Sequence, residues 1–221
     1  MGNGYWVLGT GIGLRGNRLI LRNGHQKFRT DLAELIQLAC RLGASDAAVV
    51  AASEISVEDD LAKLCKEPQC ENYGLSASCP PHVTGPDGFR EFQKTFQQAV
   101  VFKIDVPSEI LLSNQRRDIF QLLHEIAAAI EQAAVKMGYS HSKGFAGGSC
   151  KMLFCRDQTD CRALAEGGAC RHPDRARQSM SGYGINVFKL LQTAGWQMEK
   201  IIRETDPEDV PMGSVSGLVL I

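Results

Sequence analysis

The chain has no long apolar run. No stretch reaches the roughly 18 uninterrupted apolar residues of a membrane-spanning helix, so we expect no transmembrane segment. Its opening, MGNGYWVLGTGIGLRG, lacks the basic-then-apolar plan of a secretory signal, which leaves cytoplasmic residence as the expectation. Charge of neither sign is in excess: 24 Lys and Arg face 25 Asp and Glu. A net charge of −1 gives no global pull toward nucleic acid or anionic membrane, and no basic patch interleaved with aromatics is present. We find no P-loop, no nucleophile triad and no paired acid–base constellation. There is also no internal repeat and no low-complexity linker, so the 221 residues are read as a single domain, 1–221, with a substantial core.

What is present is cysteine, eight residues of it. Without export, structural disulfides are disfavoured, and clustered cysteines point to metal or redox chemistry. Seven of the eight fall in two windows. The first is Cys65-x4-Cys70-x8-Cys79, followed by Pro80, Pro81 and His82. The second is Cys150-x4-Cys155-x5-Cys161-x8-Cys170, followed by Arg171, His172 and Pro173. Both windows are rich in Gly, Pro and Ser. A loop with short spacers can aim several thiolates at one centre, and its N–H groups can face cluster sulfides; a regular helix or strand cannot do the first. The Cys79-Pro80 step repeats the Cys-Pro ending of the bacterial ferredoxin run. Neither window holds the tight C-x2-C pair usual in structural zinc sites, which favours iron–sulfur over zinc. Soft thiolate ligation by itself suits either metal.

The second window supplies four cysteines, a full set for a [4Fe–4S] cluster, and the first supplies three. His82 is a candidate fourth ligand there. Cys40 is another, although it falls near Ile36 on the expected apolar face of a helix and is read as a small core hydrophobe. Arg171, Arg175 and Arg177 are read equally as an anion pocket or as partners of local carboxylates such as Asp174. Tyr73 is read as packing, His124 as a surface or satisfied core histidine, and His141 receives no role. Gly11-x-Gly13-x-x-Gly16 mimics a dinucleotide fingerprint, but NRLILRNG after it reads as a strand, so we take it as a hairpin turn.

The fold class expected is α/β, with α+β the alternative: a mixed sheet flanked by helices, carrying two long cysteine-bearing loops. The pattern predicts a hairpin over residues 4–22, helices over Asp31–Leu42, from Pro86 through Phe96, Asn114–Gly138 and Ile185–Ala194, and strands at Ala47–Ala52, Ala99–Val106, His141–Ala146, Trp196–Arg203 and Val215–Ile221.

CENYGLSASCPP resembles the first signature of the predicted metal-binding proteins, domain of unknown function 2284. GGSCKMLFC…GGACRHPDRARQSMSGYGINVF resembles the second. The likeness runs from about Asp31 to the terminal GLVLI. It divides the chain into an N-terminal hairpin extension, 1–25, and a family-like metal-binding domain, 26–221. The resemblance implies a metal-binding, iron–sulfur protein whose ligands are Cys65, Cys70, Cys79, Cys150, Cys155, Cys161 and Cys170. Many members carry C-x2-C-x2-C in the second signature, and this chain is wider there. One or two [4Fe–4S] clusters are expected, for electron transfer or redox chemistry, with a redox partner protein or a small-molecule ligand at the three-cysteine site. The alternatives are an iron–sulfur enzyme with an open iron at that site and a zinc-stabilised interaction module.

Overall fold

The computed structural model describes residues 15–221 apart from Glu166, Lys200 and Arg203, with side chains from His25 onward. Five strands form one mixed sheet: β1 (Asp46–Ala51), β2 (Gln98–Pro107), β3 (Lys143–Ala146), β4 (Gln178–Ser179) and β5 (Met212–Leu220). Their spatial order is β1-β2-β5-β3-β4, antiparallel throughout except for the parallel β3–β4 pair. The α/β or α+β expectation agrees with this mixed sheet and its helices.

Alternation along the strands divides the core in two. In β2, Val100, Phe102 and Ile104 face one side and Ala99 and Val101 the other. In β5, Val215 and Val219 face the first side, Leu218 and Leu220 the second. Two long helices cover the first side: α1 (Arg15–Arg41) through Leu32, Leu35 and Ala39, and α5 (Arg116–Met137) through Leu123, Ile126 and Ile130. Their apolar residues recur at helical spacing because each helix buries one stripe.

The second side is covered by α3 (Gly85–Thr95), which has Pro86 in its first turn, and by α8 (Val187–Thr193), where the Asn186 side chain accepts from Lys189 N. Phe89, Phe145 and Tyr183 meet edge to face there, at ring-centroid distances of 5.1–6.0 Å, all three buried. Emptying such a site by Phe89→Ala costs about 3–5 kcal/mol. Short helices α2 (Asp59–Lys63), α4 (Ser108–Leu112), α6 (Cys150–Phe154) and α7 (Arg162–Ala165) sit within the connections.

Three sequence expectations are corrected. Residues 17–22, expected as the second hairpin strand, are helical and belong to α1; residues 1–14, with Gly11 and Gly13, lie outside the described residues. Trp196 to Ile202 form no strand among the described residues. Their apolar groups bury singly: Trp196 and Met198 pack against the second core, and Trp196 Nε1 donates to Asp46 Oδ2 (2.9 Å). Cys40 is exposed rather than in the core, because Leu32, Leu35 and Ala39 set the buried stripe and Cys40 falls past its edge.

Candidate metal centre

Both cysteine windows converge at the end of the sheet where β3 and β4 terminate. After Ala146 the chain turns through Gly147 and Gly148 against the Phe120 ring. A Cβ on Gly148 would meet that ring at 3.2 Å, and its φ of +83° suits glycine. Ser149 and Cys150 follow at once. The first window docks here: Ser179 N donates to Ser78 O (2.9 Å), and Gly182 packs so tightly on Pro80 that a Cβ would lie 2.9 Å from its ring.

In the first window each cysteine occupies its own turn. Cys70 N donates to Cys65 O (3.0 Å), Tyr73 N to Cys70 O (2.9 Å) and Cys79 N to Ser76 O (3.1 Å). The three thiols line one cavity of about 110 Å³, with Asn72 and Tyr73 beside them. Gly148 and Ser149, just before the second window, and Ser179 and Ser181, at and after the end of β4, close it. Burial raises the Cys65 thiol above its ordinary range, and the neighbouring Cys70 and Cys79 add to this. Two atoms of the wall, Asn72 Oδ1 and Ser149 Oγ, are buried and have no hydrogen-bond partner among the described residues. Orphaned polar atoms beside three thiols fit a cavity shaped for a further group.

His82, a candidate fourth ligand, does not line this cavity. Its ring is exposed and its Nε2 lies 3.2 Å from Gly74 O. Cys40 is likewise absent from the wall. The fourth side belongs to Asn72, Ser149 and Ser181 instead.

In the second window all four cysteines line one cleft. Cys150 begins α6, Cys155 follows it, Cys161 precedes α7 and Cys170 lies beyond. Cations pin the loop through its backbone. The buried Lys151 Nζ donates to Cys155 O (2.8 Å) and Gln158 O (2.6 Å), Arg162 Nε to Ala169 O (2.8 Å) and an Arg171 guanidinium nitrogen to Asp160 O (3.0 Å). His172 N donates to Cys170 Sγ (3.4 Å). Burial pushes the Cys150 thiol up to about 11, and burial also raises Cys155. The space ringed by all four thiols is about 20 Å³, but Cys150, Cys161 and Cys170 also line an adjoining cavity of about 290 Å³. Among the described residues no three His, Cys, Asp or Glu side chains stand close enough together to hold a single metal ion.

The two sites share a wall. Ser76 of the first window lines the four-cysteine cleft, and Ser149 of the second lines the three-cysteine cavity. Ser78 Oγ and Cys150 Sγ are hydrogen-bonded at 2.8 Å, and Ser78 Oγ also pairs with Ser76 Oγ (3.1 Å). Cys79 and Cys150 are near enough to repel each other as thiolates. These serines were overlooked in the sequence, although SASC and GGSC place each of them within three residues of a cysteine.

The arginines take the structural role. Arg175 pairs with Glu125 (3.5 Å) and lies over the Phe154 ring, Arg177 pairs with Glu131 (3.0 Å), and Arg171 approaches Asp160 (3.6 Å). His124 is a satisfied core histidine. It is fully buried, its Nε2 lies 3.0 Å from Gly147 O and its Nδ1 accepts from Arg177 N (3.1 Å). That bond to a backbone N–H fixes the tautomer with the proton on Nε2, so His124 ties the entry of the second loop to its exit. His141 takes no part in either wall.

Seven cysteines thus stand in two adjoining groups, with serine hydroxyls and an amide oxygen between them. No curated protein and no solved structure matches the chain. One family model does, over residues 48–221, and it spans both cysteine windows and all five strands except the first two residues of β1. The chain belongs to the family described as predicted metal-binding protein, domain of unknown function 2284.

Proposed function

We propose that this metal-binding protein carries two iron–sulfur centres for electron transfer. Cys150, Cys155, Cys161 and Cys170 would hold a [4Fe–4S] cluster. Cys65, Cys70 and Cys79 would hold a second one, whose remaining position faces Ser149 and Asn72. One observation carries the reading: all seven windowed cysteines, and not Cys40, line two cavities that share a wall. Further support comes from the irregular loops on which the thiols sit. Such clusters supply one-electron chemistry, and adjoining centres suit passage of an electron between them. The chain's own contribution is to hold the thiols, to hydrogen-bond Cys150 through Ser78 and Cys170 through His172 N, and to place cations around the second loop.

All eight cysteines are unpaired, which fits a reducing, cytoplasmic setting. A redox partner protein would exchange electrons at the four-cysteine centre. The test is anaerobic purification with iron, zinc and sulfide analysis. About eight irons and eight sulfides per chain are expected. A colourless protein with stoichiometric zinc and no sulfide would overturn the reading in favour of a zinc-stabilised module.

A further inference from the structure

A cavity of about 870 Å³ opens beside the three-cysteine pocket. It shares Asn72, Gly148 and Ser149 with that pocket. Small-molecule sites commonly enclose about 300–1,000 Å³, so this volume suits an organic ligand rather than a lone ion. Its wall is of two kinds. Leu112, Phe120, Met152, Leu153 and Ile201 give it an apolar side. Arg116, Arg117 and Arg156 give it a cationic one, against Glu71 and Glu199, for a lining charge of +1.

These arginines differ from those around the second loop. Arg171, Arg175 and Arg177 each have a carboxylate within 4.0 Å. None of Arg116, Arg117 and Arg156 forms an ion pair with a described residue, and Arg117 makes one side-chain hydrogen bond, to Leu153 O (3.1 Å). Arg116 and Arg117 open the 22-residue helix α5, whose N-terminal amides add positive potential. Guanidinium groups without carboxylate partners are suited to carboxylate, sulfonate or phosphate oxygens. The orphaned Asn72 Oδ1 requires a hydrogen-bond donor, and the orphaned Ser149 Oγ can take either role.

We infer that this cavity binds a small organic anion with an apolar body: its charged group on the three arginines, its body against Phe120 and Met152, and an N–H or O–H toward Asn72. Bound there, the molecule abuts the three-cysteine centre. Its position as a ligand of that centre rests on the function proposed above; the arginine-dependent binding does not.

The test uses the full chain, purified anaerobically with its metal and titrated with anilinonaphthalenesulfonate, an aromatic body bearing one sulfonate. Saturable binding is expected, displaced by octanoate and not by octanol. Replacing the exposed pair, Arg116→Gln with Arg156→Gln, weakens binding about tenfold or more, since each charge-assisted bond is substantial. Lys94→Gln, exposed on α3 at the opposite face of the sheet, leaves it unchanged. Equal affinity in the double variant, or equal displacement by octanol, overturns the inference. Iron and sulfide are assayed on the same samples. Arginine-dependent binding without iron removes the cluster reading and keeps the cavity. Loaded clusters with arginine-independent binding do the reverse.

Discussion

Ser78 and His124 show how single residues hold the site without belonging to the cysteine set. Ser78 reaches Cys150 across the shared wall. A donor to a ligating sulfur raises a cluster's potential. With a cluster held at the four cysteines as proposed, Ser78→Ala is therefore expected to lower its potential in a redox titration, with iron content kept; an unchanged potential would remove the hydroxyl from the account. His124 acts on stability instead. Its pKa is lowered from 6.5 to about 4, chiefly by burial, with the bond to Gly147 opposing the shift and the Arg177 charge adding to it. The unfolded chain takes up this proton near pH 6.5 and the folded chain near 4, so the contribution is complete above 6.5 and is lost as pH falls toward 4. Between pH 7.5 and 5.5, unfolding free energy from urea titrations should fall by about 1 kcal/mol more in the native protein than in His124→Gln. Identical pH dependence in the two proteins would contradict this. Legibility at this scale was uneven. The seven cysteines stood out by spacing, whereas Cys40 was misread because an (i, i+4) neighbour of Ile36 lies at the edge of a stripe, where small rotations decide burial. Asn72 carries no signal, and Ser149 only its place beside Cys150, since an orphaned polar atom exists only once the walls meet.

Helices α1 and α5 are clasped at the end remote from the metal centre. Tyr139 Oη donates to Asp31 Oδ2 (2.6 Å), and Lys27 pairs with the same carboxylate. Hydrogen bonds from Lys27 and Tyr139 hold the Asp31 carboxyl below its usual range, so this contribution is present above about pH 4 and lost in acid. Tyr139 lies 19 positions beyond Phe120, about 28 Å at a helical rise. Tyr139→Phe should thus cost about 1 kcal/mol in urea unfolding and leave iron content unaltered. Loss of iron in that variant would mean the two ends of α5 are coupled. Elements with strong periodicity were legible: α5 was expected at Asn114–Gly138 and occupies Arg116–Met137. β2 was legible as an apolar run bounded by Pro107, and β5 as the apolar run Val215–Ile221. The segment Trp196–Ile202 was not, because isolated apolar residues that bury one at a time look like a strand until a ladder partner is sought.

At the scale of the molecule, topology does what local pattern could not disclose. The last strand, β5, inserts between β2 and β3, so the chain's end supports the loop that follows β3. Residues 65–79 and 150–170 are distant in sequence but share walls, joined through Ser78–Cys150 and the Ser78–Ser179 backbone bond. Since ligation energy is part of loop folding energy, chelation should open these loops first. Hydrogen exchange after metal removal is expected to rise across 60–83 and 150–176 while β2 and the buried half of α5 stay protected. Uniform loss of protection would show that the sheet also depends on metal.

The most direct test of two adjoining centres is low-temperature EPR of the dithionite-reduced protein, compared with Cys70→Ser and Cys155→Ser. The account predicts a spectrum broadened by interaction between two reduced clusters, which simplifies in each variant as about half the iron is lost. Two non-interacting signals, or a spectrum and iron content indifferent to either substitution, would contradict it.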